Sequence, residues 1–171
     1  MSFTLATINQ DLLDRLVNVN KENTKLKRVF RHQPSIDPTD YVLPYTYFRL
    51  MESDTIPNDN AGILRYTQDV RQRVVVAPVV TTMGLDGGDR GNAAEDDAHI
   101  LIDVVRTHYL ARKYLEILGG IHPDLPTAQA GILDVLELEH RCLGVRFAPE
   151  LNKNWYVVFD YILNVPIVAV R

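Results

Sequence analysis

The segment from Tyr66 to Thr82 limits what this chain can fold into more than any other. Val70, Gln72, Val74 and Val76 alternate with Arg71, Arg73 and Val75, the period of a β-strand whose two faces differ. Its second half, Val74-Val75-Val76-Ala77-Pro78-Val79-Val80, is apolar on both faces and predicts burial from both sides. Pro78 has no N–H for a ladder, which predicts an open or bulged edge at that point.

Two helical patterns supply cover for such a strand. From Leu5, the residues Ile8, Leu12, Leu16 and Val19 recur at helical spacing with Leu13 beside them, and Asn9, Gln10, Asp14 and Arg15 fall opposite. The polar stretch Asn18 to Asn23 is expected to end that helix. A longer one is predicted from an N-cap at Asn92 to about Leu118, closed by Gly119-Gly120. Leu101, Val104, Val105, His108, Ala111, Leu115 and Leu118 form its stripe, widened by Ile100, Ile102, Tyr109 and Ile117. Glu95, Asp96 and Asp97 stand near its start, where the helix dipole favours negative charge.

Further strands are expected at Lys25–Arg31, Tyr41–Met51, Val135–Cys142, Trp155–Leu163 and Val165–Val170. Pro44 predicts an edge, bulge or break in the second of these. Loops are expected around Pro34 and Pro38, over Glu52–Gly62, over the glycine-rich Met83–Asn92, over Ile121–Gly131 and at Ala148–Asn154. Consecutive strands with short connections imply antiparallel pairing. The expected fold is α+β: a mixed, mainly antiparallel sheet covered by an N-terminal helix and a long central helix. The 171 residues form a single domain, 1–171, able to bury about two-thirds of the surface that the unfolded chain exposes.

The same sequence narrows the chemistry. Apolar residues make up 46% and charged residues 23%, the proportions of a globular domain. No run approaches the ~18 apolar residues that a spanning helix needs. The N-terminus has neither a basic nor an apolar region of the kind a signal peptide carries. A single cysteine, Cys142, forbids an internal disulfide and fits a reducing compartment. A net charge of −4 argues against general nucleic-acid binding.

Gly84-Leu85-Asp86-Gly87-Gly88-Asp89-Arg90-Gly91 invites a phosphate reading, but it lacks the Lys and Ser/Thr of a P-loop and its aspartates repel an anion. The same aspartates with Glu95, Asp96 and Asp97 could hold a divalent cation, although their spacing is not that of a calcium loop. His32, His99, His108, His122 and His140 form no zinc pattern. His140 and Cys142, two apart on an expected strand, face one side, yet nothing marks the thiol as activated. No catalytic residue, metal site or cofactor is expected.

Charge placement points to assembly instead. Lys21, Lys25, Lys27, Arg28 and Arg31 stand against the single acid Glu22. Asp86, Asp89, Glu95, Asp96, Asp97 and Asp103 stand against the single base Arg90. Two solvated surfaces would account for this. The sharper expectation is a self-complementary interface carried by Lys25, Lys27, Arg28 and Arg31 on one subunit and Asp86, Asp89, Glu95 and Asp96 on the next. Open strand edges are expected at Pro44, at Pro78 and along the final strand, and a neighbouring subunit could cover them.

This layout, ending in Ala148-Pro149-Glu150-Leu151-Asn152-Lys153-Asn154-Trp155-Tyr156-Val157-Val158-Phe159, resembles the tail-terminator (tail-completion or minor tail) proteins of long-tailed bacteriophages. The resemblance implies a structural virion protein with no enzymatic activity, located at the tail or head–tail junction. It implies a homo-oligomeric ring, typically hexameric, that caps the tail tube protein and meets the head–tail connector. A neck or connector component is the alternative within virions, and a small cytoplasmic metal-dependent enzyme the alternative outside them.

Overall fold

The computed structural model describes residues 5–22, 25–35, 43–56, 63–79, 88–110, 132–135, 139–150 and 155–170. Helix α1 (Leu5–Lys21) leads into β1 (Arg28–Phe30), β2 (Tyr45–Ile56) and β3 (Ile63–Pro78). Helix α2 (Gly88–Leu110) follows, and β4 (Ile132–Val135), β5 (Glu139–Pro149) and β6 (Trp155–Val170) complete the order. The strands form one six-stranded sheet in the order β1-β2-β3-β6-β4, with β5 also paired to β6. Only β1 and β2 run parallel; the other pairs are antiparallel. The fold is α+β.

Both helices bury their apolar stripes on one face of the sheet. Ile8, Leu12, Leu13, Leu16 and Val19 of α1 meet Ala94, Ala98, Leu101, Ile102, Val105 and Tyr109 of α2 over Phe48, Val70, Val74, Val157, Phe159 and Leu163. Each fully buried aliphatic side chain contributes ~1.5–3 kcal/mol. A polar chain runs through this interior. Gln72 Nε2 donates to Asn20 Oδ1 at 2.9 Å and to Thr46 Oγ1 at 3.2 Å, Tyr109 donates to Gln72, and Thr46 donates to the Arg73 carbonyl at 2.8 Å. It ties α1, α2, β2 and β3 together, and Asn20, Thr46, Gln72 and Tyr109 are thereby hydrogen-bonded within the core.

Several expectations are corrected. β2 continues through residues 52–56, expected as loop, because Ser53–Ile56 pair with Arg65–Gln68 of its long neighbour. A ladder partner outweighs the weak strand preference of Glu52, Ser53 and Asp54, while Thr55 and Ile56 favour a strand. Pro44 lies just before β2, with a cis Leu43–Pro44 bond, so the break falls outside the strand. α2 begins at Gly88 rather than at an Asn92 cap. Its predicted continuation to Leu118 and the Gly119-Gly120 stop lie outside the described residues.

The two expected C-terminal strands are one, β6, running straight through Asn164, whose amide donates to Asp69 at 2.8 Å. β5 extends through Pro149, into the expected turn. The open or bulged edge expected at Pro78 is present: the pairing with β2 stops at Val75 and a register shift falls between Val75 and Ala77. The final strand is not open, because β6 has β3 on one side and β5 then β4 on the other. Arg15, assigned to the polar face of α1, is fully buried beside Asp11 at 3.1 Å, and Ile100, assigned to the stripe of α2, is 55% exposed.

Bulges adjust which residues share a face. Register shifts fall between Val75 and Ala77 on β3, Leu50 and Ser53 on β2, and Cys142 and Val145 on β5. Gly144 in the last of these has φ of 88°, a conformation that glycine adopts without penalty. Gly144→Ala should cost about 1–2 kcal/mol in chemical denaturation from backbone strain alone, because an added Cβ meets nothing within 4 Å. Leu101→Ala should cost ~2–4 kcal/mol through cavity formation. Val104→Ala, at a half-buried site, should cost less than about 1 kcal/mol; equal losses at the two positions would contradict the helix orientation.

Candidate functional site

The sheet's second face carries the chemistry. Its apolar cluster, Tyr45, Tyr47, Val75, Ala148, Tyr156 and Val158, contains no helical residue. The strand register arranges this face in rows. Tyr45, Val75, Val158 and Arg146 are cross-strand neighbours; the next row is Tyr47, Arg73 and Asp160; the next is Arg49, Arg71, Ile162 and Arg141; the last is Asp69, Asn164 and Glu139. Aromatic and aliphatic surface thus gives way to paired charge, then to an arginine row, then to acids.

Asp160 is the centre. Its side chain is fully buried, directly across from Arg73 and diagonally from Arg71 and Arg146. Arg73 Nε donates to Asp160 Oδ1 at 2.8 Å, Arg71 Nε to Oδ2 at 3.0 Å, and Arg146 also pairs with Oδ2. Arg73 Nη1 donates to Glu150 Oε1 at 2.6 Å, and Tyr47 donates to Glu150 Oε2 at 2.9 Å. A lone buried carboxylate is costly, and these guanidiniums offset that cost. Burial pushes the Asp160 carboxyl up, but hydrogen bonds and charge from Arg73 and Arg71 outweigh it and hold the group below the ordinary carboxylate value. Burial, reinforced by the Glu150 carboxylate, keeps the Tyr47 phenol protonated.

Beside this network lie two shallow depressions that share Asp69. One, of about 410 Å³, is lined by Arg49, Leu50, Met51, Asp69 and Arg71. The other, of about 270 Å³, is lined by Asp69, Glu139, His140, Arg141, Ile162 and Asn164. Arg49 and Arg141 are exposed and make no ion pair among the described residues.

The predicted interface residues fall elsewhere. Lys25, Lys27 and Arg28 are exposed where α1 passes into β1. Arg31 is instead engaged within its own chain, paired with Asp14 and donating to the Gln10 carbonyl at 3.3 Å. Glu95 and Asp96 are exposed on α2. Asp89 belongs to the first turn of α2, and Asp86 lies outside the described residues. Among the described residues no group of three or more His, Cys, Asp or Glu is placed to hold a metal, and no helix is long and apolar enough to cross a membrane.

The His140–Cys142 pair has no activated thiol: burial pushes the Cys142 thiol up, only partly offset by the Gly144 N–H. His140 packs on Tyr109 and Tyr161, with ring centroids 5.5 and 5.9 Å away, and burial lowers its basicity. Tyr161, pushed up to about 12 chiefly by burial, donates to the Ile102 carbonyl at 2.9 Å. Sequence reasoning missed Asp160, Glu150 and the arginine row. The one acid inside the apolar run Trp155–Leu163 was the available signal.

Asp160→Asn should lose about 3–5 kcal/mol in urea denaturation, since it leaves three guanidiniums facing a neutral amide. The folded-state Asp160 value is depressed, so its contribution is present above the unfolded value near 3.8 and is lost as pH falls through the folded value below it. Wild-type stability should therefore drop below about pH 4 more steeply than that of Asp160→Asn; parallel curves would deny Asp160 this role.

No family model matches the chain. Over 99 residues it is 30% identical to the 2,3-bisphosphoglycerate-independent phosphoglycerate mutases of two strains of Chloroflexus aurantiacus, a stretch that covers 58% of this chain and 18% of the mutase.

Proposed function

We propose that this chain is a structural subunit that assembles with copies of itself into a ring, acting as a tail terminator at the end of a bacteriophage tail. The observation behind this reading is the edge of β2. Twelve residues long, it is paired on its outer side only at Tyr45–Tyr47, by the three residues of β1. From Phe48 to Ile56 that edge has no strand partner among the described residues. A bare edge of this length is a template for another chain, and closure of a ring is one way to satisfy it. The arginine row begins at the same edge, with Arg49, so the surface beside it is charged as well as hydrogen-bonding.

In this reading the subunit meets the tail tube protein through one end of the ring and the head–tail connector through the other. The α+β layout, with both described helices on one face, agrees with the resemblance to tail terminators. The partial likeness to the mutase favours a phosphate-ester ligand, but Arg71, Arg73 and Arg146 are turned onto the buried Asp160 rather than presented to an anion.

The purified chain should form a discrete oligomer by mass photometry, with a central opening in negative-stain images. A chain that stays monomeric at tens of micromolar, with phosphoglycerate mutase activity, would replace this reading with the enzymatic one.

A further inference from the structure

The exposed side of α2 has an unusual composition. Asp96, Asp97 and Asp103 surround Ile100, which is 55% exposed, and spacings of three, four and seven place them on one stripe; Asp103 also pairs with Arg106 of the same helix at 3.6 Å, an exposed contact that a partner can replace. Asp96 and Asp103 lie about 10 Å apart along the axis. Across the sheet's second face, Arg49, Arg71, Ile162 and Arg141 follow each other on four adjacent strands, so Arg49 and Arg141 are about 14 Å apart. Between and beside them stand Ile162 and Met51, the latter 47% exposed.

One surface is a ridge with an apolar knob among acids. The other is a groove with Met51 and Ile162 among arginines, two of which have no ion pair among the described residues, and it is bordered on one side by Asp69 and Glu139. Their spans, about 10 and about 14 Å, differ by less than the reach of the long arginine side chains, and their charges are opposite. They lie on different layers of the subunit, so a copy cannot satisfy itself.

We infer that the acidic stripe of α2 on one subunit seats in the arginine groove of the next, with Ile100 between Met51 and Ile162 and with Asp96 and Asp103 towards Arg49 and Arg141. This inference rests on the self-assembly reading above and names the surfaces that carry it. Such a contact is heterologous, as a ring requires. It replaces the basic half of the interface expected from sequence, Lys25–Arg31, by a row that only the strand register brings together. The groove is continuous with the bare edge of β2, so one neighbour can cover both.

Charge reversal in the full chain tests the pairing, read as the concentration at which the oligomer dissociates in sedimentation velocity. Arg49→Glu with Arg141→Glu, and separately Asp96→Arg with Asp103→Arg, should each raise that concentration by about tenfold or more at low salt. The milder Arg49→Ala with Arg141→Ala should move it in the same direction by less. All four reversals in one chain should restore assembly. An oligomer unmoved by either reversal, or one that the combined chain does not restore, overturns this interface and leaves the ring. Loss of assembly on Lys27→Glu with Arg28→Glu, while the groove reversals are silent, overturns it in favour of the β1 patch. A wild-type chain that never associates overturns the ring and the interface together.

Discussion

The pairing of β3 with β6 is the constraint on which the rest of the structure depends. These two strands run antiparallel for most of their length and contribute to both faces of the sheet. A slip of one residue would exchange every side chain between the helix-covered face and the charged one. Polar contacts on each side oppose that slip. On the helix face Gln72 joins Asn20, Thr46 and Tyr109; on the other face Arg73 stands opposite Asp160. Either would be left buried without its partners after a shift, at a cost of several kcal/mol.

That register also explains why the charged face is ordered rather than merely charged. Asp160 gathers three arginines because a directly opposed residue and two diagonal ones converge on one position. The bulge at Leu143–Gly144 matters as much. Arg141 and Arg146 are five apart, which on a regular strand puts them on opposite faces; the bulge returns both to the same one. The arginines on Asp160 tie β3, β5 and β6 together, and Arg49 and Arg141 make no ion pair among the described residues.

Much of the architecture was legible in the residues. The alternation of Val70–Val76, the spacing of Ile8–Val19 and the apolar run from Trp155 onward each specified an element and its buried side, because burial of a face has a period that a sequence displays directly. The limits of β2 and α2 were not legible, since pairing partners and packing override local preference there. Nor was the candidate site. Arg49, Arg71 and Arg141 are scattered over more than ninety positions of the chain, and no local pattern relates them.

By itself the sequence determined the class of fold, the two helices and the strands they cover, because those follow from hydrophobic period and turn residues. Tertiary structure alone decided which strands lie inside the sheet, which charges are buried against one another and which are left facing outward. Those properties depend on register and on bulges between segments distant in the chain, and neither is written in any single segment.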